Sequence, residues 1–466
     1  MSRSVTEPLA TKVRRFRAYP TYRDSGIEWL GEVPAHWEVR RLRSTVTGCQ
    51  NGVWGEEPDG VHDVACVRVA DFDRVTFRVD MADPTLRSIE PGVAIARGLH
   101  AGDLLLEKSG GGENQPVGAV VLYDHTIPAV CSNFIARMTV ADGYDPRFLT
   151  YLHAALYALR INTCHIKQST GIQNLDSASY LSEATAFPLV DEQRAIAAFL
   201  DRETAKIDAL VVKKERVIEL LQEKRTALIT QAVTKGLDPN VPMKDSSVEW
   251  LGDIPRHWKV CALRHVIRGG TRNGLYKSPE YYQPDGTPMI QMGEAFASPV
   301  VASCASDRLK LTTAERSIWA LDEGDLLFAR RSLVFEGSGK CSIVGELPEP
   351  HVFESSLIRV RPDKKRIVPN FLFLFLQSSV SRAQILAMTK KVTISGIDSQ
   401  QLKAVCVVVP PKQEQRAIVD FIRAKDAEFQ KLIDKVHQAI DLLCEFRSAQ
   451  IAAAVTGKID VREEVA

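Results

Sequence analysis

The 466-residue chain lacks an excess of charge of either sign and lacks the cysteine spacings that hold metals or disulfide frameworks. Its 59 Lys and Arg residues balance 58 Asp and Glu residues, so the net charge of +1 gives no sign of a globally basic surface and points only to local basic patches. Its 9 cysteines are scattered, without a C-x-x-C pair or a Cys–His pair at ligand spacing. We therefore expect no disulfides, no structural zinc and a reducing, cytoplasmic location.

Long hydrophobic runs are also missing. The longest apolar stretches, FLFLFL at 371–376 and AVCVVV at 404–409, are far shorter than a membrane span of roughly 20 residues. The N-terminal segment carries Lys12, Arg14 and Arg15 but no apolar run follows them. We expect neither secretion nor a membrane partner.

Catalytic motifs are the third absence. The single Pro-Pro, at 410–411, lies in VVVPPKQE and does not form the Asp/Asn-Pro-Pro-Tyr motif of adenine methyltransferases. The segment EGSGKCS resembles a phosphate-binding loop, but Val334 stands where that motif needs glycine and Cys341 where it needs Ser or Thr. An H-E-x-x-H motif and a convincing nuclease-type carboxylate cluster are missing. We expect a chain without catalytic residues, which is not an enzyme and binds no metal or cofactor itself.

What the sequence does contain is a long internal repeat. Segments of one copy return in the other at a nearly constant offset of 221 or 222 residues, which indicates two tandem copies of one unit, roughly 24–238 and 245–460. The recurring segments are EWLGEVPAHW (28–37) and EWLGDIPRHW (249–258), NGVW (51–54) and NGLY (273–276), GDLL (102–105 and 324–327), and EQRAI (192–196 and 414–418).

The similarity between the copies is uneven. Residues 55–101 match 277–323 hardly at all, and 107–165 match 329–388 no better, whereas the recurring segments match well. One frame that carries two unlike inserts is what a protein with two different recognition surfaces needs. Neutral drift of surface loops is the plain alternative.

Each copy begins with short β-type runs divided by Gly, Asp and Pro turns, and a helical patch follows. This pattern is typical of an α+β domain. Polar and basic residues gather in its predicted loops, and such side chains read base edges and grip phosphates, although charged loops are often merely solvated. The candidate DNA-binding residues are Lys108, Ser109, Asn114, Gln115, Lys167, Gln168, Ser169, Thr170, Arg272, Asn273, Tyr276, Lys277, Arg330, Arg331, Ser332, Lys340, Lys390, Lys391 and Thr393.

The two copies differ in charge. Residues 38–147 hold 11 Lys and Arg against 16 Asp and Glu, whereas residues 259–366 hold 16 against 13. If the acidic first copy binds DNA, it does so through a local patch and depends on a basic partner for much of the electrostatic affinity.

Each copy ends in a predicted long helix. Residues 191–235 contain no Gly or Pro, and Pro188 and Gly236 flank them as start and stop signals. A helix of about 44 residues is a rod of roughly 65 Å, and its apolar stripe needs a partner. We predict that the two helices pack antiparallel as a coiled coil; two long helices inside one ordinary core are the alternative. The predicted seam is Ile196, Leu200, Ile207, Leu210, Val217, Leu221, Ile418, Ile422, Phe429, Leu432, Val436, Leu443 and Phe446.

The repeated decapeptide, NG[VL][WY], GDLL and above all PLVDEQRAIAAFL/PPKQEQRAIVDFI resemble the specificity subunits of type I restriction-modification systems. The resemblance covers about 20–460 and implies an α+β fold: two tandem, pseudo-twofold-related α/β target-recognition domains connected by two long antiparallel coiled-coil helices. The implied domains are an N-terminal arm (1–23), target-recognition domain 1 (24–187), a central conserved helix (188–238), target-recognition domain 2 (245–409) and a distal conserved helix (410–460).

The resemblance also implies a function. Each recognition domain of that family reads one half of a split double-stranded DNA target, while the helices fix the spacer and dock two DNA adenine methyltransferase (modification) subunits, which restriction (nuclease-translocase) subunits join. S-adenosylmethionine, ATP and magnesium belong to those partners. A coiled-coil scaffold that binds only proteins is the rival interpretation, and a self-contained modification enzyme is a weaker third.

Residues at matched positions in both copies are expected to serve the framework. We assign Asn51, Trp54, Asn273 and Tyr276 to framework or phosphate contact rather than to base choice. The tryptophans of the decapeptide, with His36 and His257, are expected to form the packed entrance to each domain.

Overall fold

The computed structural model describes residues 16–169, 171–302, 307–389 and 395–465. The predicted interface residues Thr170, Lys390, Lys391 and Thr393 lie outside the described residues. The chain divides into two compact units: unit 1 is Met1–Lys213 with Gln438–Ala466, and unit 2 is Lys214–His437. Each unit therefore contains one copy's β-rich part and portions of both long helices.

The first segment of unit 1 is built, in its described residues, from short strands and four α-helices, the last of which continues into unit 2; the second segment contains the end of the other long helix. The strands are β1 (Tyr22–Asp24), β2 (Glu32–Pro34), β3 (Glu38–Arg41), β4 (Val46–Asn51), β5 (Asp63–Val67), β6 (Phe72–Asp73), β7 (Arg78–Val79), β8 (Leu86–Ser88), β9 (Asp103–Glu107), β10 (Ser109–Gly110), β11 (Val120–Tyr123), β12 (Ala129–Cys131), β13 (Ile135–Val140), β14 (Ile166–Ser169), β15 (Ile172–Leu175) and β16 (Ala184–Phe187). The helices are α1 (Pro91–Arg97), α2 (Pro146–Ala158), α3 (Ser177–Tyr180) and α4 (Val190–Lys235).

Unit 2 repeats this order with small changes. Its strands are β17 (Met243–Asp245), β18 (Asp253–Pro255), β19 (Lys259–Ala262), β20 (Ile267–Asn273), β21 (Tyr282–Ile290), β22 (Val300–Val301), β23 (Asp307–Leu309), β24 (Leu326–Ala329), β25 (Arg331–Ser332), β26 (Cys341–Val344), β27 (Val352–Phe353), β28 (Leu357–Pro362), β29 (Ser395–Gly396) and β30 (Cys406–Val409). The helices are α5 (Met292–Ala297), α6 (Thr313–Trp319), α7 (Pro369–Gln377), α8 (Ser379–Met388), α9 (Ser399–Ala404) and α10 (Lys412–Val455).

The main sheets of the two units have the same topology. Unit 1 orders its sheet β4-β13-β9-β11-β7-β6, and unit 2 orders its sheet β20-β28-β24-β26-β22. The smaller sheets correspond as well, with β12-β5-β8 matching β27-β21-β23 and β16-β3 matching β30-β19. The duplication therefore includes the middle parts of the two copies, although their sequences hardly match. The predicted α+β class is confirmed.

The repeated motifs are the fixed points of this frame. Gly52 and Gly274 press so closely on β12 and β27 that a Cβ atom would lie 1.9 Å from the carbonyl oxygens of Cys131 and Glu354. Only glycine fits such a contact, which explains why NG recurs. GDLL opens the central strands β9 and β24, whose leucines Leu104 and Leu326 are fully buried.

The decapeptide packs against the start of each long helix. In unit 1, Glu192 accepts hydrogen bonds from the Trp37 indole (3.1 Å) and the His36 ring (2.8 Å). In unit 2, Glu414 binds the Trp258 indole (2.8 Å) and the His257 ring (2.7 Å) in the same way. The glutamate of EQRAI thus ties the second half of the decapeptide to the helix that follows the domain.

The decapeptide does not bury all of its tryptophans. Trp37 and Trp258 are fully buried, but Trp250 is 46% exposed and Trp29 is half-buried. The expectation that both tryptophans of each decapeptide are packed is therefore wrong for Trp250. The physical reason is position, because Trp29 and Trp250 lie in the turn before the short strands β2 and β18, whereas Trp37 and Trp258 donate hydrogen bonds to the glutamates at the helix starts.

The long helices are present, and both units show the contacts of antiparallel packing. In unit 1 an early residue of α4, Asp208, accepts from the late α10 residue Arg447 at 2.9 Å. In unit 2 the late α4 residue Arg225 donates two hydrogen bonds to the early α10 residue Asp426, at 2.8 and 3.0 Å. Arg225 and Arg447 occupy matched positions of the repeat, whereas their partners Asp426 and Asp208 do not, because the residue matched to Asp208 is Gln430 and the residue matched to Asp426 is Thr204.

The seam follows a heptad spacing, but with the opposite alternation to the predicted one. Ile196, Leu200, Ile207, Ile418, Ile422 and Phe429 are buried as predicted, and Leu221, Val436 and Leu443 are half-buried. The prediction is wrong at Leu210, Val217, Leu432 and Phe446, which are 43–52% exposed. The covered positions in the middle of the helices are Val211, Lys214, Ile218, Leu221, Arg225, Ile433, Val436, Ile440, Leu443 and Arg447.

A single choice explains these errors. The prediction assumed that the seam advances by three residues and then by four after Ile207 and Phe429. In the structure it advances by four residues and then by three, a spacing that fits the apolar pattern almost equally well. Lys214, Arg225 and Arg447 then enter the covered stripe, and hydrophobicity alone gave no reason to place them there. The two arginines are accommodated by their ion pairs.

No single helix of the described part is long and apolar enough to cross a membrane. The bent pair α7 and α8, with 71° between its members, meets the length and composition test when the two are taken together. Phe371, Leu372 and Phe375 of α7 are buried in the core of unit 2.

Candidate nucleic-acid interface

In unit 1, strand pairing brings together loops that are far apart in sequence. β10, which follows GDLL, pairs with β15, and β15 pairs with β14 in a hairpin. Lys108 donates to the Asn51 side chain at 2.7 Å, so the end of β4 joins the same cluster. Three separately predicted groups, at the ends of β4, β9 and β14, therefore form one polar surface.

The side chains of this surface differ in whether hydrogen bonds or ion pairs within the protein hold them in place. Ser109 is hydrogen-bonded to Asn174 at 2.5 Å, and Lys167 pairs with Asp176 at 2.8 Å but remains 79% exposed. Gln168 is exposed, as are Asn114 and Gln115 on the glycine-rich loop after β10. An exposed ion pair contributes little to stability, so Lys167 can exchange its carboxylate for a phosphate at small cost.

Unit 2 gathers the equivalent elements. β25 pairs with β29, which joins Arg331 and Ser332 to the segment before α9. Asn273 approaches Ser399 at 3.4 Å, so the end of β20 lies beside the same segment. Lys340 is exposed at the end of the loop that begins at Arg331. The same framework therefore carries a glycine-rich loop in unit 1 and a basic, aliphatic-tipped loop in unit 2.

Two predicted residues of unit 2 are held by the protein itself. Lys277 pairs with Glu315 at 2.5 Å and lies 4.5 Å over the Tyr281 ring. The hydrogen bond between Lys277 and Glu315 raises the pKa of Lys277 and lowers the pKa of Glu315 to about 2. Arg330 is half-buried and donates to the Ser355 carbonyl at 3.4 Å. Both side chains are less available to a ligand than Arg272 and Arg331, which are exposed.

A cleft beside the polar surface of unit 1 includes residues that sequence reasoning passed over. It has a volume of about 450 Å³, and its lining includes Trp54, Arg68, Ser109, Asn133 and Phe134. Trp54 is 38% exposed and stacks on the Arg87 guanidinium at 4.6 Å, while Phe134 is 46% exposed. Asn133 and Phe134 follow the buried strand β12, and an exposed aromatic directly after a buried strand is the signal that could have identified them.

A charged pair lies beneath this cleft. Glu107 is buried and accepts from Arg74 at 2.8 Å. Burial raises the pKa of Glu107, and the adjacent Arg74 opposes that rise. Arg68, which also lines the cleft, pairs with Asp71 at 2.9 Å, so both arginines beside the cleft are held by carboxylates of the protein.

The described residues contain one group with the ligand atoms of a metal site. Cys164, His165 and Glu183 place such atoms within 4.8 Å of one another. Both ring nitrogens of His165 already have partners, Ser179 at 2.8 Å and Glu183 at 2.9 Å. These hydrogen bonds account for the cluster as a packed histidine that anchors the β14 hairpin to α3.

Comparisons with known proteins agree with this geometry. Residues 255–441 match the family described as type I restriction modification DNA specificity domain. The type I restriction enzyme EcoKI specificity subunit of Escherichia coli is 24% identical over 340 residues, covering 72% of this chain and 70% of that one. The type I restriction enzyme MjaVIII specificity subunit of Methanocaldococcus jannaschii is 21% identical and covers 66% of this chain and 70% of its own length.

A solved structure supports the fold. A chain reported under "Structural basis underlying complex assembly and conformational transition of the type I R-M system" aligns with a TM-score of 0.65 and 14% identity, covering 91% of this chain and 98% of that one. The family match lies in the second copy, whose sheet order the first copy shares. The chain is thus similar over much of its length to specificity subunits of type I restriction-modification systems.

Proposed function

We propose that this chain is the DNA sequence-recognition subunit of a type I restriction-modification complex and that it reads a bipartite, asymmetric target, one half with each unit. Residues 24–187 and 245–409 are the recognition domains, and 188–238 and 410–460 are the helices that set the spacer. The helices dock two DNA adenine methyltransferase subunits, and restriction subunits join them. S-adenosylmethionine, ATP and magnesium are bound by those partner subunits.

One observation carries this proposal. The two units share sheet order, buried GDLL strands and the Glu–Trp–His contact, yet they place unlike side chains at the equivalent loops. Ser109 and Gly110 of β10 correspond to Arg331 and Ser332 of β25. A conserved frame fixes where a reading side chain stands, and the variable side chain selects the base edge that it accepts.

The proposal is tested by exchanging residues 38–187 for those of a relative, in the complete complex with its modification subunits. Methylated adenines are then mapped on genomic DNA. We expect one half of the modified sequence to change while the other half stays the same. A change in both halves, or in neither, would contradict the assignment of one half-site to each unit.

The spacer role has its own test. Insertion of four residues, about one helical turn, after Lys213 lengthens α4 by about 6 Å. We expect the distance between the two methylated half-sites to change, or modification to be lost, with both half-site sequences unaltered. The matched control inserts the same four residues in the polar turn 238–242, outside both helices. An unchanged spacing from an active α4 variant would rule out the helices as the determinant of spacing.

The rival scaffold interpretation predicts a different result in a binding assay. Phosphate contacts make DNA affinity fall steeply with salt. The complex of this chain with its modification subunits should therefore bind a target duplex with a strong salt dependence. If the complex does not bind DNA at low salt, the scaffold interpretation is favoured.

A further inference from the structure

Unit 2 contains a cavity of about 530 Å³ where the late part of α4 and the early part of α10 meet α7 and β22. Its walls are largely apolar and include Pro299, Val300, Phe373 and Leu374. The Arg225–Asp426 ion pair forms its polar side. The cavity lies apart from the polar surface formed by β20, β25 and β29.

In unit 1 the matched place is filled by the chain itself. β7 runs parallel to β11 as β22 runs parallel to β26, which makes Phe77 the counterpart of Pro299. The Phe77 ring packs edge-on against Tyr151 with 6.1 Å between centroids, and it lies 5.1 Å from the guanidinium of Arg447. The backbone of Phe77 has a φ of 58°, a value that residues other than glycine rarely adopt.

The matched residues of unit 2 are smaller and leave the space open. Pro299 replaces Phe77, Leu374 replaces Tyr151, and no described strand of unit 2 corresponds to β6. The matched arginines, Arg447 in unit 1 and Arg225 in unit 2, differ in solvent exposure accordingly. The side chain of Arg447 is 10% exposed under the Phe77 ring, whereas that of Arg225 is 43% exposed.

We propose that this cavity receives an aromatic side chain presented by a polypeptide partner, as unit 1 receives Phe77 from its own chain. Arg225, held by Asp426, presents a guanidinium face to an aromatic ring, and aliphatic side chains line the opposite wall. A single ring does not fill the cavity, so flanking residues of the partner enter with it. The inference rests on the proposed function for the partner's identity, the modification subunit.

A peptide is favoured over a small molecule by the surroundings of the cavity. Val217, Leu220 and Leu432, on the same two helices within unit 2, are 43–48% exposed. A small aromatic molecule would occupy the cavity and leave these apolar side chains in water. A docked polypeptide can insert one ring and cover further parts of the helices.

The test transplants the filled state of unit 1 into unit 2. The double variant Pro299→Phe/Leu374→Tyr of the full chain is compared with wild type for assembly with the modification subunit, measured by titration calorimetry. We expect the double variant to weaken assembly at least about tenfold. Because Phe77→Ala removes a ring that the chain itself supplies to unit 1, it is the matched control for altered packing and should not weaken assembly by this route.

Two further measurements protect the test from misfolding and from failure of the proposed function. Val300→Trp places a bulky side chain at a position that is 48% exposed, so folding is not at risk, and it should weaken assembly in the same direction. N-acetyl-phenylalanine amide, observed by saturation-transfer NMR, should bind wild type but not either filled variant, and N-acetyl-leucine amide should bind wild type more weakly.

The outcomes separate the two hypotheses. Full-strength assembly by both filled variants, or equal binding of the leucine and phenylalanine amides, would overturn the aromatic-insertion proposal while leaving the half-site proposal intact. A change in both half-sites, or in neither, after the exchange of residues 38–187 would contradict the proposed function alone. Weakened assembly together with unchanged half-site sequences is the result that the inference predicts.

Discussion

Units 1 and 2 fill equivalent positions of their cores with side chains of different polarity. At matched positions of α2 and α7, unit 1 buries His153 and unit 2 buries Leu376, both fully. The partner of His153 is the Tyr180 hydroxyl at 2.8 Å, and the residue matched to Tyr180 is the buried Leu402. A polar pair in one unit is thus an apolar pair in the other. The comparison teaches that the frame requires volume at these positions and tolerates a change of polarity when both members change together.

The same contrast holds at the surface, where it concerns function. The loop after β10 is glycine-rich and carries Asn114 and Gln115, whereas the loop after β25 exposes Leu333 by 87% and Val334 by 62%. The strands that support both loops are paired identically. The sequence differences at these loops therefore lie where the shared strands do not constrain the shape of the side chains. If so, substitutions in the shared strands and helices should alter stability, and substitutions in the loops should alter DNA binding.

The largest expected effect comes from the shared frame. Trp258→Ala removes a fully buried indole and leaves Glu414 without one of its donors, so we expect a loss of about 3–5 kcal/mol in the free energy of unfolding. Trp250→Ala, at a position 46% exposed, is the matched control from the same decapeptide and should cost far less. Denaturant unfolding followed by circular dichroism measures both. Equal losses would show that burial of the second tryptophan is not what holds the decapeptide.

The next effect distinguishes the interiors. The folded chain lowers the pKa of His153 from its ordinary 6.5 to about 4, because burial penalises the charged ring. The unfolded chain therefore binds a proton first as pH falls, and unit 1 loses stability between about pH 6.5 and pH 4, by about 3 kcal/mol in total. Converting unit 1 to the interior of unit 2 with His153→Leu/Tyr180→Leu should remove this pH dependence.

The pH experiment compares thermal unfolding of wild type and the double variant at several pH values. The matched control is Leu376→Met, which changes the equivalent position of unit 2 without adding a titrating group. Parallel pH profiles for wild type and the double variant would show that other groups dominate the acid sensitivity.

The smallest effect concerns single surface cations. Lys167→Ala in unit 1 and Lys340→Ala in unit 2 should each weaken DNA binding by the complete complex and reduce the slope of log affinity against log salt by about 0.9. The half-site sequence should stay unchanged, because phosphate contacts carry no base information. Lys431→Ala, an exposed lysine on α10, is the control and should leave the slope unaltered. A changed base preference would move Lys167 or Lys340 into the group of base-reading residues.

Sequence reasoning predicted the architecture because duplication left marks that do not depend on local propensity. The decapeptide, GDLL and EQRAI located both copies, and the uninterrupted run 191–235 predicted α4 almost to its ends. The phase of the helix seam was not predictable, because the two alternations of three and four residues expose nearly equal hydrophobicity. The covered Arg225 and Arg447 decided it, and their ion-pair partners are more than 200 residues away in sequence.

The candidate interface was predictable only as a set of separate loops. Nothing local shows that β10 pairs with β15, or that Lys108 reaches Asn51 across 57 residues. Lys277 was chosen for its charge, and its commitment to Glu315 depends on the position of α6. The cleft residues Asn133 and Phe134 were missed for the same reason, since they become neighbours of Trp54 only when β12 packs beside β4.

The contacts of Gly236 and Gly457 have a consequence for the connectivity of the chain. A Cβ atom at Gly236, at the end of α4, would lie 3.3 Å from the Trp258 ring, and a Cβ atom at Gly457, after α10, would lie equally close to the Trp37 ring. A bridge between Arg17 and Asp460 joins the segment before β1 to the segment after α10. Within each unit, the β-rich part of one copy therefore packs against the end of the other copy's long helix. A circularly permuted chain, opened in the turn 236–247 and joined between these two segments, keeps the contacts of both units and reverses the order in which they are translated.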